Sequence, residues 1–218
     1  MSSPRFGAAY WRAAWADGRV ATIRSPSDHL LEHHWPALGL PAGSRVLVPL
    51  AGTSPDLTWL AGNGFDVVGV ELSPIACRSY FEGIGIEPER RAADPFVRWR
   101  GGGVTLLEGD VFDLDGTFDA ALDRGALVAL EPQDRPRYVE HLTACLVPGA
   151  PVLLVTLEYD DRRRHRPPFA VLPDEVERLF PGAVSTTRRR LDSARWDDVG
   201  PVHAVAWTWR APAATLSP

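Results

Sequence analysis

The feature that most constrains the fold of this 218-residue chain is a series of short apolar runs. Five of them have the length of a strand: RVLVPL (45–50), DVVGVEL (66–72), VTLLE (104–108), FDAALD (118–123) and PVLLVTL (151–157). Continuous apolar runs of this kind are typical of strands that are covered on both faces in a parallel sheet. The runs therefore predict a buried, parallel sheet.

Helix signals lie between these runs. Ser54-Pro55-Asp56 and Ser73-Pro74 each combine an N-cap serine with a proline at the first helical position. Strands and helices in alternation predict right-handed crossovers and a doubly wound α/β sheet. Near the end of the chain, VSTTRRRL and VHAVAWTW are close enough to form an antiparallel pair. We therefore expect an α/β fold with a mostly parallel, seven-stranded sheet that ends in an antiparallel C-terminal hairpin.

The N-terminal segment AAYWRAAWADGRV is predicted to be a helix that carries Trp11 and Trp15 on one face, because they are four residues apart. Two interpretations are open: the pair covers an apolar edge of the sheet, or it belongs to a lid that closes over a ligand. The length of the chain suits one domain. We expect a single domain over residues 1–218, with helices and a lid in 1–40 and the α/β core in 41–218.

Composition and charge argue against several classes of function. The net charge of −5 disfavours a nucleic-acid partner, because affinity for phosphate backbones needs a basic face. No apolar stretch approaches the ~20 residues of a membrane-spanning helix, and the N-terminus lacks the pattern of a secretory signal. We expect no membrane partner and a cytoplasmic location. Cys77 and Cys145 lie far apart without metal-ligand spacing, which favours reduced thiols and no metal site.

Ligands of open α/β sheets bind at the carboxyl ends of the strands, so the residues after each run are the candidates for a site. The first run is followed by PLAGTSP, where a dinucleotide enzyme would place G-x-G-x-x-G to approach a pyrophosphate. This chain has only Gly52 there. The second run ends at Glu71, where a carboxylate can accept hydrogen bonds from both hydroxyls of a ribose. A ribose without a pyrophosphate makes S-adenosylmethionine the obvious candidate, and one glycine permits the close backbone approach that its tail needs.

Two further strand ends extend this site. In GDVFDL, Asp110 could accept a hydrogen bond from an adenine amino group, with Val111 as an amide donor and apolar wall. In ALDRGALVAL, Asp123 and Arg124 lie where the methionine end of the cofactor and an acceptor would meet. Arg124 could orient an anionic or polarisable acceptor. Asp123 is a possible base and equally a possible structural acid.

At this point the chain resembles the thiopurine S-methyltransferases, including bacterial members linked to the detoxification of sulfur, selenium or tellurium compounds. The resemblance covers nearly the whole chain. It is carried by the tryptophan pair and by VLVPLAGTSPDLTWLA, GFDVVGVELSPIA, GDVFDL, FDAALDRGALVAL, RYVEHL, LLVTLEYD and PPFAV. It implies a class I, Rossmann-like S-adenosylmethionine methyltransferase fold with an N-terminal lid.

The resemblance also implies site residues. The expected cofactor contacts are Trp11, Trp15, Leu50, Gly52, Glu71, Leu72, Asp110, Val111 and Arg124. Arg124, with Asp123, is the expected catalytic pair. Pro168 and Phe169 belong to a loop that covers the acceptor in this family, so together with Arg124 they are expected to line the acceptor pocket.

Three departures from the family pattern concern the acceptor side and leave the cofactor residues in place. Where the family usually has PLCGK, this chain has Ala51 and Thr53 in place of the thiol and the cation. The usual F-H-Q is replaced by Thr22-Ile23-Arg24. The loop before Pro168 is rich in basic residues, namely Arg162, Arg163, Arg164, His165 and Arg166.

The leading hypothesis is an S-adenosylmethionine-dependent methyltransferase that acts on a small soft nucleophile, such as a thiol or a selenium or tellurium compound. Its expected partner is a small-molecule acceptor, and we expect a monomer or a weak homo-oligomer. Two alternatives are open. One is a lyase or cyclase that acts on the cofactor itself and releases methylthioadenosine. The other is a binding module without catalytic activity.

Overall fold

A computed structural model describes residues 5–20, 29–160, 165–192, 196–197 and 199–213. Its contacts group the chain into two compact units, Met1–Phe118 and Asp119–Pro218. The first unit contains the helices α1 (Ala8–Ala16), α2 (Leu30–His34), α3 (Asp56–Gly62) and α4 (Pro74–Gly83). Its strands are β1 (Arg45–Val48), β2 (Asp66–Glu71), β3 (Glu89–Ala93), β4 (Phe96–Gly101) and β5 (Val104–Glu108).

The strands of the first unit lie in the order β3-β4-β5-β2-β1. Strand β2 pairs in parallel with β1 and with β5, and Glu71 is in register with Glu108. The carboxyl ends of these three strands therefore lie along one edge. Strand β4 is antiparallel to both β3 and β5.

The hairpin β3–β4 was not predicted. With it, the described residues form nine strands, so the expected number of seven is wrong. The sequences ERRAA and FVRWRG carry too many charged residues to resemble buried strands. All of β3 except Ala93 is exposed, as is common for a strand at the edge of a sheet.

The two helix starts in the first unit form near the predicted positions. Ser73 is the N-cap of α4, where its side chain accepts a hydrogen bond from the amide of Ala76 (3.4 Å), and Pro74 is the first helical residue. Helix α3 begins one residue later than expected, at Asp56. The Oγ atom of Ser54 accepts a hydrogen bond from the amide of Asp56 (3.3 Å).

The second unit contains α5 (Arg135–Ala144), α6 (Pro173–Leu179) and the strands β6 (Ala120–Arg124), β7 (Pro151–Glu158), β8 (Val184–Leu191) and β9 (Val202–Arg210). The strand order is β6-β7-β9-β8. Strands β6 and β7 are parallel, and β9 is antiparallel to both β7 and β8. The antiparallel C-terminal pair and the α/β class are thus confirmed.

The N-terminal helix α1 was expected, and Trp11 and Trp15 both lie on it. Its role as a lid, and the single-domain organisation, stay predictions. Both cysteines are buried free thiols, as expected. Among the described residues, no helix has the length and apolar character needed to cross a membrane.

Candidate functional site

The turn after β1 has a backbone conformation that explains its glycine. Gly52 has a φ of 55° and Leu50 a φ of 47°, so both lie in the left-handed region, which glycine adopts without steric cost. The amide of Ala51 donates to the carbonyl oxygen of Val70 (2.9 Å) and ties the turn to β2. A Cβ atom placed on Gly52 would lie 3.5 Å from Cζ2 of Trp15. The ring of Trp15 therefore lies against this turn.

Glu71 is the residue that organises the edge of the first unit. Its Oε2 accepts a hydrogen bond from the amide of Gly52 (2.8 Å), and its Oε1 accepts one from the amide of Ser73 (2.8 Å). Only 6% of Glu71 is exposed. This burial raises the pKa of the carboxyl group to about 7, although the amides of Ser73, Gly52 and Leu72 act in the opposite direction. A carboxylate has about four lone-pair sites, so Glu71 keeps capacity for a ligand hydroxyl.

Asp110 follows β5 at the same edge. Its side chain accepts a hydrogen bond from the amide of Phe112 (3.1 Å) and begins a short 3₁₀ helix, Val111–Asp113. The amide of the preceding Gly109 donates to the carbonyl oxygen of Glu71 (3.0 Å). The structure thus brings together the ends of β2 and β5, as the sequence predicted.

The indole nitrogen of Trp11 is a buried donor that has no hydrogen-bond partner among the described residues. Buried donors are rarely left unpaired, because the desolvation of an unsatisfied group costs about 1–3 kcal/mol. The first unit therefore offers an unused donor at Trp11, an acceptor at Glu71 and a turn without a side chain at Gly52. This set suits a ligand that has hydroxyl donors and an acceptor group of its own.

In the second unit, Asp123 is fully buried at the end of β6. Its Oδ1 accepts hydrogen bonds from the amides of Ala126 and Leu127 (both 3.1 Å), and its Oδ2 accepts one from the hydroxyl of Tyr138 (2.8 Å). Burial raises the pKa of Asp123 to about 6, against these three hydrogen bonds. The arrangement is typical of a structural acid, one of the two roles that the sequence left open. Among the described residues, Tyr138 is the side chain that donates to it.

Arg124 is the last residue of β6 and lies opposite Val155 of β7. It is half-buried. A 3₁₀ helix, Leu127–Ala129, follows it closely. The carbonyl oxygen of Val128 in this helix accepts a hydrogen bond from the amide of Phe169 (2.6 Å). The structure therefore links the turn after Arg124 to the expected acceptor loop.

Pro168 and Phe169 are half-buried, whereas His165 and Arg166 are exposed. The other basic residues of this loop, Arg162, Arg163 and Arg164, lie outside the described residues, as do Thr22, Ile23 and Arg24. Tyr159, whose hydroxyl donates to the carbonyl oxygen of Pro168 (2.6 Å), was not among the predicted site residues. A signal was available, since Tyr159 directly follows the end of a buried strand, where site residues are sought.

Residues 7–202 match the family model described as thiopurine S-methyltransferase (TPMT). The chain is 41% identical over 179 residues to a thiopurine S-methyltransferase of Bordetella petrii, a match that covers 80% of this chain and 82% of the relative. It is 44% identical over 176 residues to a thiopurine S-methyltransferase of Azotobacter vinelandii, covering 78% of this chain and 80% of that one.

Among solved structures, the chain is similar to the 1,6-didemethyltoxoflavin-N1-methyltransferase of Burkholderia thailandensis, which holds 1,6-didemethyltoxoflavin and S-adenosylhomocysteine. The TM-score is 0.66 at 20% sequence identity, and the match covers 97% of this chain and 92% of that one. At this level of sequence identity, the similarity shows the fold alone.

Proposed function

Since this chain belongs to the thiopurine S-methyltransferase family and is an S-adenosylmethionine-dependent methyltransferase, we propose that it methylates a small soft nucleophile. The acceptor class is a thiopurine-type sulfur, another thiol, or a selenium or tellurium compound. The observation that carries the proposal is the buried carboxylate of Glu71, held at the single-glycine turn of Gly52. This arrangement suits a ribose and has no loop for a pyrophosphate. The curated relatives, named thiopurine S-methyltransferases, support the sulfur acceptor.

The residues of the first unit fit the cofactor. Glu71 would accept hydrogen bonds from the ribose hydroxyls, and Asp110 would accept one from the adenine amino group, with Leu72 and Val111 as neighbouring walls. The indole donor of Trp11, which has no partner in the described part of the chain, suits the carboxylate of the methionine tail. Leu50 and Gly52 form the turn, and the ring of Trp15 lies beside it; all three would border this tail.

S-adenosylmethionine supplies a methyl group on a sulfonium, which leaves as a neutral thioether. The protein's contribution is then largely to align the acceptor, and favourable positioning in intramolecular reactions is worth roughly 7–11 kcal/mol. In the second unit, the guanidinium of Arg124 favours the anionic form of a thiol and holds it. Pro168 and Phe169 offer the apolar surface against which a small acceptor packs.

Asp123 is not needed as a base in this proposal. Its carboxylate oxygens are used by Ala126, Leu127 and Tyr138, and it is fully buried. A thiol whose pKa is lowered by a neighbouring cation loses its proton to solvent water, without a dedicated base. Asp123 then positions Arg124 through the turn that follows β6.

Product analysis tests the proposal and separates it from the lyase or cyclase alternative. The purified protein is incubated with S-adenosylmethionine and 6-mercaptopurine, an alkyl thiol or no acceptor, and the nucleoside is identified by mass. We expect acceptor-dependent S-adenosylhomocysteine. Methylthioadenosine formed without an acceptor would establish the alternative, and binding without turnover would indicate the non-catalytic module. In the Arg124→Ala variant, turnover should fall much more than the affinity for S-adenosylhomocysteine.

A further inference from the structure

Four consecutive residues, Pro168–Val171, are each hydrogen-bonded to a different part of the second unit. The hydroxyl of Tyr159 donates to the carbonyl oxygen of Pro168 (2.6 Å), and the amide of Phe169 donates to that of Val128 (2.6 Å). Nη2 of Arg135 donates to the carbonyl oxygen of Ala170 (3.1 Å), and the amide of Val171 donates to that of Leu157 (2.8 Å). A connecting segment normally has fewer internal partners than this. We refer to Pro168–Val171 as the acceptor wall.

Two of these four anchors come from side chains, and the first is Tyr159. Its ring is buried and packs against the ring of Trp196, with centroids 5.9 Å apart. Both rings belong to one apolar cluster with Ala170, Val199 and Val202. The packing of the ring fixes the direction of the hydroxyl. Its hydrogen bond therefore holds the carbonyl group of Pro168 in place.

The second side-chain anchor is Arg135, a fully buried arginine at the start of α5. Besides Ala170, its guanidinium donates to the carbonyl oxygen of Leu130 (3.2 Å) and to Oε2 of Glu175 in α6 (2.6 Å). A buried ion pair gives little net stability over apolar residues of similar volume, because desolvation offsets the attraction. The buried guanidinium of Arg135 is better explained by its hydrogen bond to the acceptor wall, which it orients.

We infer that Tyr159 and Arg135 are positioning residues that hold the acceptor wall in one conformation, so that Pro168 and Phe169 present a fixed surface to the acceptor. The inference rests on the proposed function, in which Pro168 and Phe169 contact the acceptor. Neither Tyr159 nor Arg135 touches a reacting atom in this scheme. Their effect is on the binding of the acceptor, and the cofactor residues of the first unit are independent of it.

The variant that tests this is Tyr159→Phe, which removes the hydroxyl and leaves the packed ring. We expect the KM for 6-mercaptopurine to rise roughly three- to tenfold, the range that one neutral hydrogen bond supplies. The kcat should change less than twofold, and the Kd for S-adenosylhomocysteine should stay the same. Hydrogen exchange at the amides of Phe169 and Val171 should become faster.

Tyr80→Phe is the matched control. Tyr80 is also a buried tyrosine whose hydroxyl makes a hydrogen bond, with Thr58 (3.0 Å), but it lies on α4 in the first unit. This variant should leave the KM for the acceptor and the exchange at Phe169 unchanged. Arg135→Lys, which keeps the charge and loses the planar fork, should raise the KM in the same way as Tyr159→Phe.

The outcomes separate the inference from the proposed function. If the wild-type protein turns over 6-mercaptopurine or an alkyl thiol, and Tyr159→Phe shows an unchanged KM and unchanged exchange, the positioning role is wrong and the function stands. A lower kcat at constant KM would also overturn it, since the two residues would then act on a step other than the binding of the acceptor. If the wild-type protein transfers no methyl group to any acceptor, the proposed function and the acceptor wall fall together.

Discussion

At the scale of single residues, Glu71 has two tasks that depend on the same two oxygens. It accepts hydrogen bonds from the amides of Gly52 and Ser73, and in the proposed function it also accepts them from a ribose. Its burial raises the pKa to about 7, so its charge changes near neutral pH. Only the ionised form offers all of its lone pairs as acceptors.

We therefore expect the affinity for S-adenosylhomocysteine to fall as the pH is lowered through 7. Protonation of Glu71, whose pKa is about 7, should make the Kd at pH 6 roughly five- to tenfold higher than at pH 8. Titration calorimetry at pH 6, 7 and 8 measures this. Glu71→Gln should bind weakly at every pH, without the slope.

Glu108→Gln provides the control for this prediction. Glu108 is in register with Glu71 at the end of β5, but it accepts hydrogen bonds from Trp99 and Arg90. This variant should keep the slope of the wild-type protein. An equal pH dependence in Glu71→Gln and wild type would show that another group is responsible.

At the scale of elements, the hairpin β3–β4 adds a contact beside the candidate cofactor site. A Cβ atom placed on Gly109 would lie 2.4 Å from Cδ1 of Phe96, the first residue of β4. Real Cβ atoms do not approach carbon so closely, and Phe96 is buried. The hairpin thus packs directly against the residue that precedes Asp110.

Gly109→Ala should destabilise the protein by about 1–3 kcal/mol, the usual cost of forcing extra volume into a packed region. Urea denaturation without cofactor measures the change in the free energy of unfolding. Gly83→Ala is the matched control, because a Cβ atom at the end of α4 meets no atom of the described residues within 4 Å. If both variants have the same free energy of unfolding, Phe96 can move aside, and its contact with Gly109 does not contribute to stability.

Elements with a simple pattern could be predicted from the sequence, and the hairpin could not. Strands β1, β2, β5, β6 and β7 were recognised because burial on both faces requires an apolar run. The edge strand β3 has no such requirement, since all of its residues except Ala93 are exposed. Its residues Arg90 and Arg91 look like those of a solvated loop.

In the candidate site too, some residues could be predicted from the sequence and others could not. Gly52 and Glu71 could be predicted because their positions follow from the ends of strands. Arg135 could not, since an arginine in the first turn of a helix is usually exposed, and its partner Glu175 lies 40 residues away. The role of Asp123 depended on Tyr138 in the same way. Tertiary contacts that are distant in sequence leave no periodic signal.

At the scale of the whole molecule, a buried carboxylate with a raised pKa occurs in both units, Glu71 in the first and Asp123 in the second. A folded pKa above the unfolded value means that protonation favours the folded state. The stability linked to these groups is fully present below their ordinary pKa values of 4.5 and 3.8. It is lost as the pH rises through about 7 for Glu71 and about 6 for Asp123.

Asp123→Asn should reduce the loss of folding stability that accompanies a rise in pH. The rise in the pKa of Asp123 from 3.8 to about 6 corresponds to at most about 3 kcal/mol. Asparagine can accept from Ala126 and Leu127 and donate to Tyr138 without carrying a charge. We expect the decrease in the free energy of unfolding between pH 5 and pH 8 to be smaller in this variant than in the wild-type protein, as measured by urea denaturation.

The exposed Asp115 supplies the control, because Asp115→Asn should keep the wild-type pH dependence. Measuring turnover by the Asp123→Asn variant tests whether Asp123 is a structural or a catalytic residue. A structural acid predicts that most of the activity is retained, whereas loss of activity with normal stability would restore the catalytic role expected from the sequence.

The turn at Gly52 has one more consequence. The protein itself fixes this turn, through Ala51 bound to Val70 and Gly52 bound to Glu71. The conformational entropy of these residues is therefore lost once, when the chain folds, and not again each time a cofactor enters. A preorganised site of this kind can exchange its spent cofactor for a fresh one at every cycle without refolding its own backbone.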